Sequence, residues 1–324
     1  MILINRLHKT ADSWSKDFQE RLEAVADNRV LFYGEPISVL SNSTLFENLA
    51  YYGYKSMLEL RRKVEMIGHE NIEKIIFLDS MQLPFQQMIG LDREIPFEIY
   101  VHVSKDYQDY VHAPAYYKQN SLCTPMLVST SSTALSYGLH ESQYRSIGCP
   151  LLPFQNASIK RSKTVIWAGN DINNPVKGFP DFQKLMREFP DFEFHVCTRR
   201  IPLSVAETLA KEHPNMELHV GLTSEEYQKL ASTCEIIVST AFCESFGLSV
   251  MDAVATGTIP LCRDVGSYHD LFPRNFLYSD ILQADLYKAQ RTDEAGFLSL
   301  EMVVNHFSAK NVYERLINPM DCHG

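Results

Sequence analysis

Short β-branched runs alternate with longer amphipathic stretches along nearly the whole chain, and this restricts the fold to βα units built on parallel sheets. In the first half, strands are expected at 1–4 (MILI), 29–33 (RVLFY), 73–78 (EKIIFL), 97–103 (FEIYVHV) and 125–129 (PMLVS), with helices over 12–26 and 55–68. In the second half, the strands fall at 164–168 (TVIWA), 192–197 (FEFHVC), 216–220 (MELHV), 235–239 (EIIVS) and 258–262 (TIPLC). Helices fill 178–189, 201–213, 223–233 and 246–256. Thr223 and Glu226 are spaced as a capping box that opens one of these helices.

With 324 residues, the chain exceeds most single cores and fits two domains. The pattern breaks over "GCPLLPFQNASIKRSK" at 148–163, where two prolines and a glycine precede a polar run. The expected division is an N-terminal Rossmann-like domain over 1–156, a second over 157–305, and a final helix over 306–324 that crosses back to the first. Two such domains would face each other across a cleft at the carboxyl ends of their strands, the usual place for a ligand in open sheets. No apolar run reaches the length of a membrane span, and the N-terminal apolar stretch is too short for a secretory signal, so a cytoplasmic protein is expected. Seven cysteines, none in a Cys-x-x-Cys pair, read as buried thiols rather than as a zinc site or disulfide framework. The formal charge of −10 opposes indiscriminate binding to polyanions, although "IKRSK" and "TRR" are local basic stretches.

The chemistry is concentrated in "CESFGLSVMDAVATGTIPLC", residues 243–262. Glu244 sits on a loop after a strand, and the amides of Ser245, Phe246, Gly247, Leu248 and Ser249 lead into a helix whose N-terminus attracts anions such as phosphate. Gly247 lets a ligand approach the backbone. Asp252 lies about 12 Å farther along by helical rise, and an acid in so apolar a helix needs a partner. A nucleoside diphosphate sugar has that reach. The residues also permit plainer readings: Glu244 as a cap on its own helix, Asp252 in an internal ion pair, Lys177 as a solvated loop lysine. Neither Gly-x-Gly-x-x-Gly after the first strand nor a P-loop occurs, which disfavours nicotinamide enzymes and P-loop nucleotidases.

Residues 164–280 resemble the donor-binding half of family 4 glycosyltransferases of the GT-B fold. The stretches "IIVSTA", "ESFGLSVMDAV", "IPLC" and "LFPRNFLYS" are most similar to tRNA-queuosine mannosyltransferase-like proteins, with a further likeness to phage DNA glycosyltransferases. The resemblance implies an α/β GT-B fold with two Rossmann-like domains. It also implies that Glu244 contacts sugar hydroxyls and that Asp252, in place of a second glutamate, contacts the ribose. Lys177 with Gly178 matches the family's diphosphate-binding Lys-Gly step, while Asn170 stands where an arginine is expected. Arg199 or Arg200 is the candidate substitute, and Gly221 and Leu222 line the neighbouring loop. His102 and Asp79 end first-domain strands on the acceptor side, where the glycine-rich turn of the family is replaced by a segment containing His8 and Lys9. The implied activity is retaining transfer from a nucleotide sugar to a hydroxyl, with a modified base in DNA or tRNA as the acceptor. The alternatives are a carbohydrate or lipid-linked acceptor, or a nucleotide-sugar-binding subunit without turnover. No metal or other cofactor is expected, since cationic side chains and amides offset the leaving diphosphate.

Overall fold

The computed structural model describes residues 2–5, 14–33, 58, 60–78, 95, 97–101, 126–155 and 161–318. The chain divides into two compact units, one formed by Met1–Pro150 with Ala309–Gly324 and the other by Leu151–Ser308. The division falls at Pro150 because the next residues are already bonded into the second unit: Leu151 N–H donates to Phe307 O at 2.8 Å and Gln155 N–H to Ala255 O at 2.7 Å.

In the first unit, strands β1 (Ile2–Asn5), β2 (Val30–Tyr33), β3 (Lys74–Phe77), β4 (Phe97–Val101), β5 (Met126–Val128) and β6 (Tyr144–Ser146) form a sheet in the order β2-β1-β3-β4-β5-β6. Every pairing is parallel, with Ile2 opposite both Val30 and Lys74. The buried side chains of Leu60, Val64, Ile72, Ile75 and Ile95 pack as one cluster. Lys74 of β3 and Arg145 of β6 both bond to Glu98 of β4, a charge cluster of low exposure. These two cations also donate to carbonyls of Leu316 and Arg315. This is how the Ala309–Ile317 helix is fastened to the first unit: its last-turn carbonyls, which lack intrahelical partners, find cations instead. The final helix expected within 306–324 is thus Ala309–Ile317, preceded by a separate helix, Glu294–His306, that periodicity missed.

In the second unit, β7 (Thr164–Asp171), β8 (Glu193–Arg200), β9 (Met216–Val220), β10 (Ile236–Ser239), β11 (Ile259–Arg263) and β12 (Leu277–Tyr278) form an all-parallel sheet in the order β12-β11-β10-β7-β8-β9. The Phe179–Glu188 helix buries Phe179, Phe182, Leu185 and Met186, spaced three and four apart, on one face. Phe182 meets Phe194 of β8 edge to face, with centroids 5.6 Å apart, and Trp167 of β7 lies against Phe179 and Phe182. Cys197, Cys234 and Cys262 are buried as thiols among these layers, and burial pushes the Cys197 thiol up to about 12. No described helix is long and apolar enough to cross a membrane.

The capping box is formed as expected. Thr223 Oγ1 accepts from Glu226 N–H at 3.2 Å, and the Glu226 carboxylate accepts from Thr223 N–H at 2.8 Å. Thr223→Ala is expected to cost about 1 kcal/mol, measured as a shift in denaturation midpoint at unchanged slope.

Candidate functional site

Strand order defines where a site belongs in the second unit. From β7 the chain moves outward through β8 and β9, then returns to the other side of β7 with β10. The loops after β7 and β10 therefore diverge from neighbouring strands, and the crevice at such a reversal is where open α/β sheets bind ligands.

Both loops deliver charge to this point. After β7, Pro175–Lys177 makes one 3-10 turn, with the Asn174 side chain accepting from Val176 N–H and with Gly178 left-handed at φ 63°. A Cβ on Gly178 would lie 2.1 Å from Thr240 O, so only glycine lets the two loops touch. The contact is fixed by hydrogen bonds. Phe242 N–H donates to Val176 O at 2.8 Å, Thr240 Oγ1 donates to Lys177 O at 2.9 Å, and Trp167 Nε1 donates to Thr240 Oγ1 at 3.0 Å. Lys177 Nζ then lies 2.7 Å from Glu244 Oε2, with the two side chains only 15% and 13% exposed. Glu244 Oε1 also accepts from Ser245 N–H at 3.2 Å, a bond within the loop rather than the cap on its own helix that the plainer sequence reading allowed.

Past Glu244 the chain dives inward. Ser245 is buried, and Phe246 is fully buried with its ring edge-on to Phe307. Its side chain therefore packs in the core and leaves only its backbone for a ligand. Gly247, left-handed at φ 73°, ends the loop, and the helix runs from Leu248 to Ala255, two residues later than periodicity suggests. No side chain caps its N-terminus, whose first-turn amides lack intrahelical partners and attract negative charge. Asp252, 8% exposed, lies one turn beyond Ser249. The Ser249 carbonyl accepts from the Tyr227 hydroxyl at 2.7 Å.

The remaining sequence candidates spread along the same edge of the sheet. Strand β7 extends to Asp171 and so includes Asn170, with Asp171 in register with Arg200. Arg199 and Arg200 are exposed at the end of β8, beside Gly221, whose N–H donates to Thr198 O at 2.9 Å. Leu222 is half-buried in the loop after β9. Lys177 and Glu244 are brought into contact, while Arg199, Arg200, Gly221 and Leu222 belong to adjacent strand ends. His8, Lys9, Asp79 and His102 lie outside the described residues.

Sequence reasoning missed a third loop, 264–267 after β11. Ser267 N–H donates to Glu244 O at 3.1 Å, and a Cβ on Gly266 (φ 53°) would sit 2.3 Å from that oxygen. Tyr268 packs beneath Gly247 and donates to Ser239 Oγ at 2.9 Å. The signal was present as a glycine three residues after the strand Ile259–Arg263. An ammonium, an acceptor carboxylate and uncapped helix amides at one sheet edge can together take an anion that carries hydroxyl groups nearby.

No known protein family profile matches the chain. Among solved structures, Anabaena HepE in complex with UDP and glucose superposes with a TM-score of 0.67 at 11% identity, covering 99% of each chain. WaaB, a lipopolysaccharide outer core galactosyltransferase solved in its apo form, gives a TM-score of 0.66 at 12% identity, with 98% of each chain covered. For TarM of S. aureus, solved with UDP and α-GlcNAc-glycerol, the TM-score is 0.62 at 17% identity; 85% of this chain aligns, spanning 59% of TarM. The fold is GT-B, two Rossmann-like units, as the resemblance implied.

Proposed function

We propose that this GT-B chain is a glycosyltransferase that moves a sugar from a nucleoside diphosphate donor to an acceptor hydroxyl with retention of anomeric configuration. The observation that carries this reading is the Lys177–Glu244 pair at the strand-order reversal, 2.7 Å apart and largely shielded from water. In a low-exposure site, a cation aimed at a leaving group is worth far more than in bulk water. Lys177 and the amides at the start of the Leu248–Ala255 helix take the diphosphate, and Glu244 accepts from the sugar hydroxyls. Asp252 serves the ribose, and Arg199 or Arg200 supplies the charge that Asn170 lacks. His102 and Asp79 serve the acceptor side. The bond from the anomeric carbon to the phosphate oxygen breaks as the acceptor oxygen bonds on the same face, and the acceptor proton passes to the departing phosphate. The UDP bound in HepE and TarM supports a uridine donor.

The likeness in wording to tRNA- and DNA-modifying glycosyltransferases supports a hydroxylated base as acceptor. A carbohydrate acceptor is the second reading, favoured by the net charge of −10 and by the WaaB and TarM likenesses. UDP release should be followed over a panel of UDP-sugars with tRNA, DNA or oligosaccharide, and the product anomer assigned by NMR. Release with at least one pair, abolished by Glu244→Ala, is the expected result. Tight nucleotide binding without turnover under any condition would reassign the chain as a binding subunit, and an inverted product would remove the retaining mechanism.

A further inference from the structure

A second cluster of chemistry-bearing side chains lies on β8 and β9, away from the loops just described. In the parallel register, His195 is opposite Glu217 and Cys197 is opposite His219. Side chains alternate along strands, so His195, Glu217 and His219 share one face of the sheet. Phe194, Val196, Met216 and Leu218 occupy the other face, where they belong to the hydrophobic core.

We infer that His195, Glu217 and His219 form a binding site for a divalent first-row transition ion of the zinc type, which clasps the edge strand β9 to β8. His195 Nδ1 and His219 Nε2 are 3.0 Å apart, and Glu217 carboxylate oxygens lie 3.5 Å from the first and 3.7 Å from the second. Two donors each about 2.1 Å from a tetrahedral ion are separated by about 3.4 Å. The three donors thus need shifts of only a few tenths of an ångström to share one ion. Two imidazoles and a carboxylate are a donor set that zinc-type ions accept, with the fourth position left to water.

The proton inventory is consistent with capture. Arg161 Nη2, which can only donate, is 2.9 Å from His195 Nε2. Neutral His195 therefore carries its proton on Nδ1 and donates it to His219 Nε2. Binding an ion at Nδ1 requires that proton to move to Nε2, and Glu193 Oε1, 3.3 Å from Nε2, is placed to accept the new N–H bond. Arg161 is half-exposed and can yield the position. The result is the carboxylate–histidine–metal relay that orients ligating imidazoles. Glu193 and Glu217 also line a surface groove of about 390 Å³, which gives an ion a route from solvent.

The full-length chain, stripped with chelator and dialysed, should be titrated with Co²⁺ and followed by visible absorption, and with Zn²⁺ by calorimetry. The expected result is one tight equivalent and an intense tetrahedral cobalt spectrum without a thiolate charge-transfer band. His219→Ala should weaken binding about 100-fold, and Glu193→Gln about 10-fold. Glu217 is 61% exposed, so Glu217→Gln should leave the fold intact and still lower affinity at least ~10-fold. A thiolate band, or equal affinity in wild type and Glu217→Gln, would overturn the assignment and leave His195 and His219 as a hydrogen-bonded pair only.

Discussion

Lys177→Ala should lower kcat by roughly 10²–10³-fold, the range seen when one preorganised group that stabilises a leaving oxyanion is removed. The change also strips Glu244 of its cation. A carboxylate at 13% exposure that keeps its Ser245 N–H bond but loses the Lys177 ammonium is still costly, and breaking a buried pair from one side costs more than the pair contributes. At these exposures we expect roughly 2 kcal/mol of lost stability, below the fully buried case. The backbone anchor survives, since Thr240 binds the Lys177 carbonyl rather than its side chain, so the turn keeps its shape. Lys177→Ala with Glu244→Ala should accordingly be more stable than Lys177→Ala alone while remaining inactive. Equilibrium denaturation of the three variants, with kcat and KM measured separately, checks this. A single variant that keeps wild-type kcat would remove the leaving-group role.

Much of the second unit was legible because its signals are strong and local. The runs at 216–220 and 235–239 become β9 and β10 within a residue, since isolated β-branched runs between polar segments have few alternatives. Thr223 and Glu226 made one helix start readable to the residue. Lys177 and Glu244 were both identified, yet nothing in the sequence said that they touch. They are 67 positions apart, and their meeting depends on β10 lying beside β7, a tertiary choice that periodicity does not carry.

The missed features have physical reasons. The loop before the Leu248–Ala255 helix is apolar because Phe246 packs against Phe307, so hydrophobicity extended the apparent helix backward through a left-handed glycine. β12 contains two residues and β6 three, below the length at which alternation is detectable. His195, Glu217 and His219 sat unnoticed within runs read only as strands. Their juxtaposition requires the β8–β9 register, which the sequence leaves open.

Gly266→Ala is expected to damage the site from a loop that holds no proposed contact with substrate. At φ 53°, alanine is strained by about 1–2 kcal/mol. In addition, its methyl would sit 2.3 Å from Glu244 O, and backbone cannot rotate away as a side-chain tip would. Either the 264–267 loop or the Glu244 peptide must shift, which breaks the Ser267–Glu244 hydrogen bond. The expected total is about 2–4 kcal/mol of stability. Misplacing a catalytic group by about 1 Å can cost on the order of 10²-fold in kcat/KM, so activity should fall on that scale even at temperatures where the variant is fully folded. Gly138 provides the control. It too has a positive φ, 71°, but a Cβ there meets nothing within 4 Å, so Gly138→Ala should show the strain cost alone and wild-type kcat/KM. Should both variants lose stability equally and keep full activity, the 264–267 loop would not be what positions Glu244.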